Sequence, residues 1–315
     1  IIPHAVYNGE DHLFDLHLKV KMEDDLALRV GGNVASNGVN QIYIGATYHN
    51  LNYYTKEMSI DGQIGQVYNN LQLAGRIDFP THLPTSYRFI ASMSSLDYFK
   101  QERLFTSGNT PVFNKNKEYF LKLQMSMPFL TSQKAEFSIG VGRLEDQYFQ
   151  TNVIDFVNDN RDQSSYNIFG GSVALEGNTL DSRQFATSGR KERLVANVYT
   201  GKEHYKDGVY NEESPMSKYE YTQSWLQISY ELERYSQLSS QFTLGQYIHS
   251  YYSSRNFSQN YTATMMQAGT FAPTAHSKIS YNEAFRANQF IGAGLIPIFK
   301  LNSVVQARAE VYGFI

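Results

Sequence analysis

Apolar and polar side chains alternate along most of this chain. From 118 to 127 it reads Glu-Tyr-Phe-Leu-Lys-Leu-Gln-Met-Ser-Met, so that Tyr119, Leu121, Leu123, Met125 and Met127 share one face. Phe120, Lys122, Gln124 and Ser126 share the other. Ala135, Phe137, Ile139 and Val141 likewise oppose Glu136, Ser138, Gly140 and Gly142, and Val305, Ala307, Ala309 and Val311 oppose Gln306, Arg308, Glu310 and Tyr312. A helix would scatter these residues around its circumference, whereas a period of two places them on the two sides of a strand.

The same pattern, less cleanly, runs through Leu26–Val34, Gln41–His49, Met58–Tyr68, Leu71–Phe79 and Tyr87–Tyr98, and returns in Tyr166–Gly177, Glu192–Gly201, Ser224–Leu232, Ser240–His249 and Asn288–Phe299. That predicts about thirteen strands of roughly ten residues, the length a tilted strand needs to cross hydrocarbon. Strands of soluble sheets run nearer five or six residues. The connections alternate too: those at 35–40 and 129–133 are short, and those at 99–116, 146–165, 202–218 and 251–286 are long and polar. Short turns on one rim and long loops on the other are expected of an all-β, antiparallel up-and-down barrel that spans a bacterial outer membrane. A water-soluble β-sandwich is the competing architecture, separable by whether solubility needs detergent.

Composition adds three constraints. With 24 Tyr and 20 Phe, aromatic residues make up 14 % of the chain, enough to supply girdles at two lipid–water interfaces. The net charge of −3 lacks the basic patch of a nucleic-acid binder, and zero Cys excludes a disulfide framework or thiolate metal site. No run of 18 apolar residues exists, so no helix is expected to cross a membrane; the mean hydropathy of −0.43 is compatible with a barrel, where only alternate residues meet lipid. Ile1-Ile2-Pro3-His4 carries neither a Met nor a secretory signal, which reads as a processed or partial product. An odd strand count, and a chain that stops in or just after a strand at Val311–Ile315, predict further strands in the parent protein. Residues 1–25 read as the last strand of a preceding soluble domain or as the first barrel strand; 26–315 read as the barrel.

Three stretches resemble a known family when taken together. They are Leu26-Ala-Leu-Arg-Val-Gly-Gly-Asn-Val-Ala-Ser36; Gly177-Asn-Thr-Leu-Asp-Ser-Arg-Gln-Phe-Ala-Thr-Ser-Gly189; and Phe285-Arg-Ala-Asn-Gln-Phe290 through Gly292 and Gly294 to Leu301-Asn302, ending in Ala307-Arg-Ala-Glu-Val-Tyr312. The second is similar to the Asp-x-Arg-x-Phe-Pro-x-x-Gly strand-opening motif of the BamA-like outer-membrane assembly superfamily, matched by Asp181, Arg183, Phe185 and Gly189. Ala186 stands where that motif has Pro, and Phe285-Arg-Ala-Asn288 replaces a Val-Arg-Gly-Tyr-like loop motif. In this order the stretches look like the C-terminal barrel of bacterial patatin-like phospholipases. The resemblance implies a sixteen-stranded barrel behind a POTRA-like linker and an upstream lipid acyl hydrolase. It implies outer-membrane lipid, lipopolysaccharide and the chain's own upstream periplasmic domain as partners, with a homo-oligomer or envelope complex as further candidates. It also implies that Arg286 sits on a loop folded into the lumen and pairs with an acid on a nearby strand, for which Glu310, beside Arg308, is the candidate.

Catalytic chemistry finds little support in the residues. The nearest match to a Gly-x-Ser-x-Gly elbow, Gly170-Gly-Ser-Val-Ala174, lies inside an alternating strand and lacks the last Gly. His249 and Ser250, a local His–Ser cluster, point to opposite faces of a strand. The eight His show no metal-ligand spacing, and no cofactor is expected. Glu145, Asp146, Asp155, Asp159 and Asp162 surround a long connection and read as a solvated acidic loop rather than a Ca²⁺ site. Asp181 and Arg183 read as a pair tying a turn to the barrel. The functions in view are therefore an anchoring barrel that holds, or passes lipid or protein for, an upstream hydrolase; a BamA-like secretion or insertion barrel; and a diffusion porin.

Overall fold

A computed structural model describes residues 2–9, 12–19, 25–33, 40–98, 114–149, 160–182, 185–208, 218–256, 261–274, 277, 283–302 and 305–315. Strands β1 (Ile2–Asn8) and β2 (Leu13–Lys19) pair antiparallel as a hairpin of their own. The alternating segments then build one antiparallel meander. It contains β3 (Leu26–Asn33), β4 (Gln41–Asn50), β5 (Thr55–Gly65), β6 (Tyr68–Phe79), β7 (Thr85–Tyr98) and β8 (Asn114–Leu130). It continues through β9 (Gln133–Tyr148), β10 (Asp162–Asn178), β11 (Gly189–Lys206), β12 (Lys218–Gln237) and β13 (Phe242–Ser253).

Between β13 and the next wall strand the chain makes a seven-residue helix, α1 (Tyr261–Gln267), a short β14 (Gly269–Thr270), a 3-10 turn at Glu283–Phe285, and β15 (Arg286–Ala287). The wall resumes with β16 (Gln289–Lys300), followed by β17 (Gln306–Arg308) and β18 (Val311–Phe314). β17 and β18 both lie along β16 and act as one interrupted strand, so the fourteen strands of the sheet fill the thirteen ranks that the period predicts. Among the described residues β3 and the β17–β18 rank form the two ends of the sheet.

The register confirms which residues share a face. Leu28, Val30, Ile42, Ile44, Met58 and Ile60 lie on the outer face and are exposed, as are Leu121, Leu123, Ile139, Val141, Val198 and Val311 farther along. Large apolar side chains turned outward, over polar ones turned inward, are stable where the outside is hydrocarbon. An aromatic band marks the interface near the short turns. Tyr54 packs edge-on to Phe79 at 5.1 Å and Phe79 edge-on to Tyr87 at 5.6 Å, while Phe242 meets Phe299 in a tilted contact at 4.7 Å. The fold fits a bacterial outer membrane, and no described helix is long and apolar enough to cross one.

The strands are taller than the expected ten residues on one side. β8 to β12 run 16 to 20 residues, well beyond the roughly 9–11 that span hydrocarbon. Their extra length lies toward the long connections, where the inner face buries Asp146, Tyr148, Ser164, Tyr166 and Glu203. The reading of Glu145–Asp162 as a solvated loop is therefore corrected in part. Asp146 and Asp162 close the tall β9–β10 pair and are 1 % and 5 % exposed, while Asp155 and Asp159 lie outside the described residues.

Candidate functional site: a lumen filled from one side

The segment that follows β13 folds back inside the wall. α1 lies against β9, and Gln267 at its end donates its side-chain amide to the Asp146 carboxylate, which also accepts from Asn116 at 2.7 Å. Arg255 is laid across two aromatic rings of the wall, 4.3 Å from the Tyr166 centroid and 4.9 Å from that of Trp225. Its carbonyl accepts from Asn288 at 3.1 Å, so the start and the end of the plug are joined. A guanidinium over desolvated aromatic faces is held by the ring quadrupoles, and by more than at an exposed site. Beside it Glu203 is 0 % exposed and accepts from Ser164 at 2.8 Å.

Lower in the lumen the plug becomes apolar. Phe271, 2 % exposed, stacks on Phe314 at 5.2 Å and meets Phe290 at 6.0 Å and Tyr247 at 6.3 Å. Ile296, Ile298 and Tyr235 complete a dry core against the β12–β18 wall, with Tyr312 and Phe314 of the last rank packed on it. The opposite wall is lined by charge. Arg29 reaches Asp61 at 3.0 Å, Arg76 reaches Asp78 at 2.7 Å, and Lys134 reaches Glu136 at 2.9 Å. The lumen thus has one dry side and one polar side.

The expected Arg286–Glu310 pair is not found among the described contacts. Arg286 lies in the inward-folded segment, but its guanidinium donates to the carbonyls of Met266 (2.6 Å) and Met265 (3.4 Å), capping the end of α1. The cation on Glu310 is Arg308, at 2.7 Å, with Tyr312 donating to the other carboxylate oxygen at 3.0 Å. The physical reason is the register of the last rank on β16, which the interruption after Arg308 does not shift. The register runs unbroken across it, from Ile298–Arg308 to Leu295–Val311, and so fixes Glu310 low along β16, while Arg286 precedes Gln289 at that strand's other end, beside the helix.

Arg308 instead meets the strand-opening motif. It donates to the carbonyl of Ala186 at 2.9 Å and to the Tyr235 hydroxyl at 2.7 Å, and lies 5.9 Å from the Phe185 ring centroid. Within the motif, the Asp181 carboxylate accepts from the Thr187 amide (2.9 Å), the Thr187 hydroxyl (2.8 Å) and the Ser188 amide (3.3 Å). Desolvation raises the Asp181 pKa, but these donors outweigh it and hold the carboxyl at about 2. Gly189 has φ +94, and a Cβ there would lie 2.1 Å from the Thr179 carbonyl oxygen, so only glycine fits. Phe185 also takes a left-handed φ of 56 and is exposed. Ala186, where the motif has Pro, is 3 % exposed within the dry core. Arg183 lies outside the described residues.

The serine and histidine candidates for catalysis have structural partners in the wall. Ser172 of the Gly-Gly-Ser stretch shares a 2.6 Å hydrogen bond with Ser138 across β9 and β10, in mid-strand. Ser250 faces outward, and the serine that His249 meets is Ser229 on β12, at 3.3 Å. That contact was invisible in the sequence because it depends on the β12–β13 register. Glu231, directly opposite His249, takes the Tyr247 hydroxyl at 3.3 Å rather than the ring. Among the described residues no cluster of three or more His, Asp or Glu is placed to hold a metal.

No protein-family profile matches the chain, and neither does any curated protein. Among solved structures it is similar to BamA from Haemophilus ducreyi lacking POTRA domains 1–3, with a TM-score of 0.63 at 13 % identity over 99 % of this chain. This chain spans 61 % of that one. The siderophore receptor PiuA from Acinetobacter baumannii aligns over 96 % of this chain and 48 % of its own, with 9 % identity and a TM-score of 0.34. The likeness to the first of these shows the fold, that of an outer-membrane β-barrel.

Proposed function

We propose that this chain is the membrane-spanning barrel of a larger envelope protein, anchoring a patatin-like lipid acyl hydrolase and passing lipid or protein for it. The observation that carries the reading is the plug: a lumen whose wall is clasped by Arg255, Gln267 and Phe271 is unsuited to free diffusion. Topology supports the placement of the partner. β3 enters the wall at the rim of short turns, the periplasmic rim of such barrels, which supports a periplasmic position for the β1–β2 hairpin. The hairpin's separate sheet supports its assignment to a POTRA-like linker. Lipid and lipopolysaccharide surround such a barrel, and the resemblance implies a homo-oligomer or an envelope complex.

Planar-bilayer recording separates the leading reading from a porin. The plugged barrel should insert with little steady conductance, whereas stable ohmic channels in every insertion would sink the anchoring role and favour diffusion. A BamA-like insertion or secretion barrel is the second reading, favoured by the likeness in fold. A Gly-x-Ser-x-Gly elbow encoded upstream supports the hydrolase; POTRA repeats without one support assembly.

A further inference from the structure

A shallow apolar trough of about 990 Å³ crosses the outer wall from β5 to β11, at the upper end of the about 300–1,000 Å³ of ligand clefts. It follows the register. One row of directly paired residues runs from Met58 through Gly75, Leu123 and Gly171 to Val198. The adjacent row, one step nearer the short turns, runs from Lys56 through Tyr87 to Ala196. Lys56 is the second residue of β5, while Ala196 is the eighth of β11. Strands of such barrels tilt by about 35–45°, so these rows descend obliquely from the interior of the membrane to the periplasmic interface.

Two features set this trough apart from an ordinary lipid-facing wall. Gly75 has nothing within 4 Å of a would-be Cβ, and Gly171 only an ordinary contact at 3.5 Å, and neither has a left-handed φ. The backbone does not require glycine at either place; what glycine does there is keep the floor low between large neighbours. At the low end stands an exposed cation, Lys56, absent from the ion pairs of the described residues, level with the Tyr54–Phe79–Tyr87 cluster that marks the interface.

We infer that the trough seats one glycerophospholipid of the periplasmic leaflet, its phosphate on Lys56 and its acyl chains laid along the Gly75–Gly171 floor. Charge selects the headgroup, and depth selects an ordered chain over the fluid ones around it, since lipid-facing association is driven by packing rather than by the hydrophobic effect. The inference rests on the outer-membrane reading.

The test uses the protein purified from outer membranes in mild detergent and washed to constant lipid content. Bound lipid is counted by native mass spectrometry after adding back palmitoyl-oleoyl phosphatidylglycerol or the diacylglycerol with the same chains. Wild type should retain phosphatidylglycerol. Gly75→Leu with Gly171→Leu should lower its retention about tenfold, equivalent to about 1.4 kcal/mol. Lys56→Gln should abolish the preference for phosphatidylglycerol over diacylglycerol while leaving the chains' seat. Equal retention by wild type and the leucine pair, or no lipid on wild type, overturns the seat. Heat-modifiable gel mobility of each variant keeps that outcome distinct from a failure to fold. Wild type soluble without detergent would instead remove the membrane reading itself.

Discussion

Asp181 shows how much a single exposed carboxylate can organise. Three donors from Thr187 and Ser188 converge on it and close the turn that opens β11. Because its carboxyl is held at about 2, below its ordinary value of 3.8, the stabilisation is complete above the ordinary value and is lost as pH falls through 2. Asp181→Ala should therefore lower stability at neutral pH by about 0.5–1 kcal/mol, a figure reduced for solvent screening. The gap between variant and wild type should close between pH 4 and pH 2 in urea titrations of the detergent-solubilised protein. A gap independent of pH would mean that the carboxylate's charge is not what holds the turn. The motif's residues, Gly189 among them, were legible only through a resemblance, and the reason for the glycine, its left-handed φ against the Thr179 carbonyl, needed the structure. The partner of the turn was not legible: Arg308 lies 122 positions from Ala186, and no local pattern reports that distance.

At the scale of elements, the wall strands were readable because their signal is local. Period two needs only the neighbouring residues, and each segment from Leu26–Val34 to 305–312 found its strand. The apparent single segment Met58–Tyr68 divides into β5 and β6 around Gln66-Val67, a turn too short and too apolar at Val67 to be seen as one. The plug was expected only through a resemblance, since residues 254–288 carry no alternation and their contacts are long-range. Gln267 meets Asp146 across 121 positions. Arg255 is the element's clasp on the tall wall. Arg255→Ala should remove two cation–π contacts worth about 0.5–2 kcal/mol each. Limited proteolysis of intact barrels should then cut within 254–288 several-fold faster while gel mobility stays heat-modifiable. An unchanged cleavage rate would show that Gln267 and the phenylalanine core hold the plug without the arginine.

The whole molecule is built unevenly. One side of the sheet, β12 to β18, is backed by a packed aromatic core, whereas β3 to β7 face charged pairs whose side chains are partly exposed. Protection against hydrogen exchange follows buried apolar contact. Amides of β12, β13 and β16 should exchange at least tenfold more slowly than those of β4 and β5 in nanodiscs, beyond any difference due to strand length. Uniform protection around the wall would show that lipid, not the core, sets its rigidity. Pattern alone could not show this division, because both sides alternate equally well and the difference lies in what the inner face meets.

Gly292 carries a consequence for how such a molecule comes to exist. A methyl group there would lie 2.1 Å from the Phe271 ring, and one at Gly294 would lie 2.2 Å from Tyr312, so the inner surface of β16 is moulded to those rings. A mould and its casting have to be made together. Seating the phenylalanine and zipping β16 onto β13 therefore depend on each other, so a bulkier residue at 292 should weaken the filling of the cavity and the pairing of that strand at once.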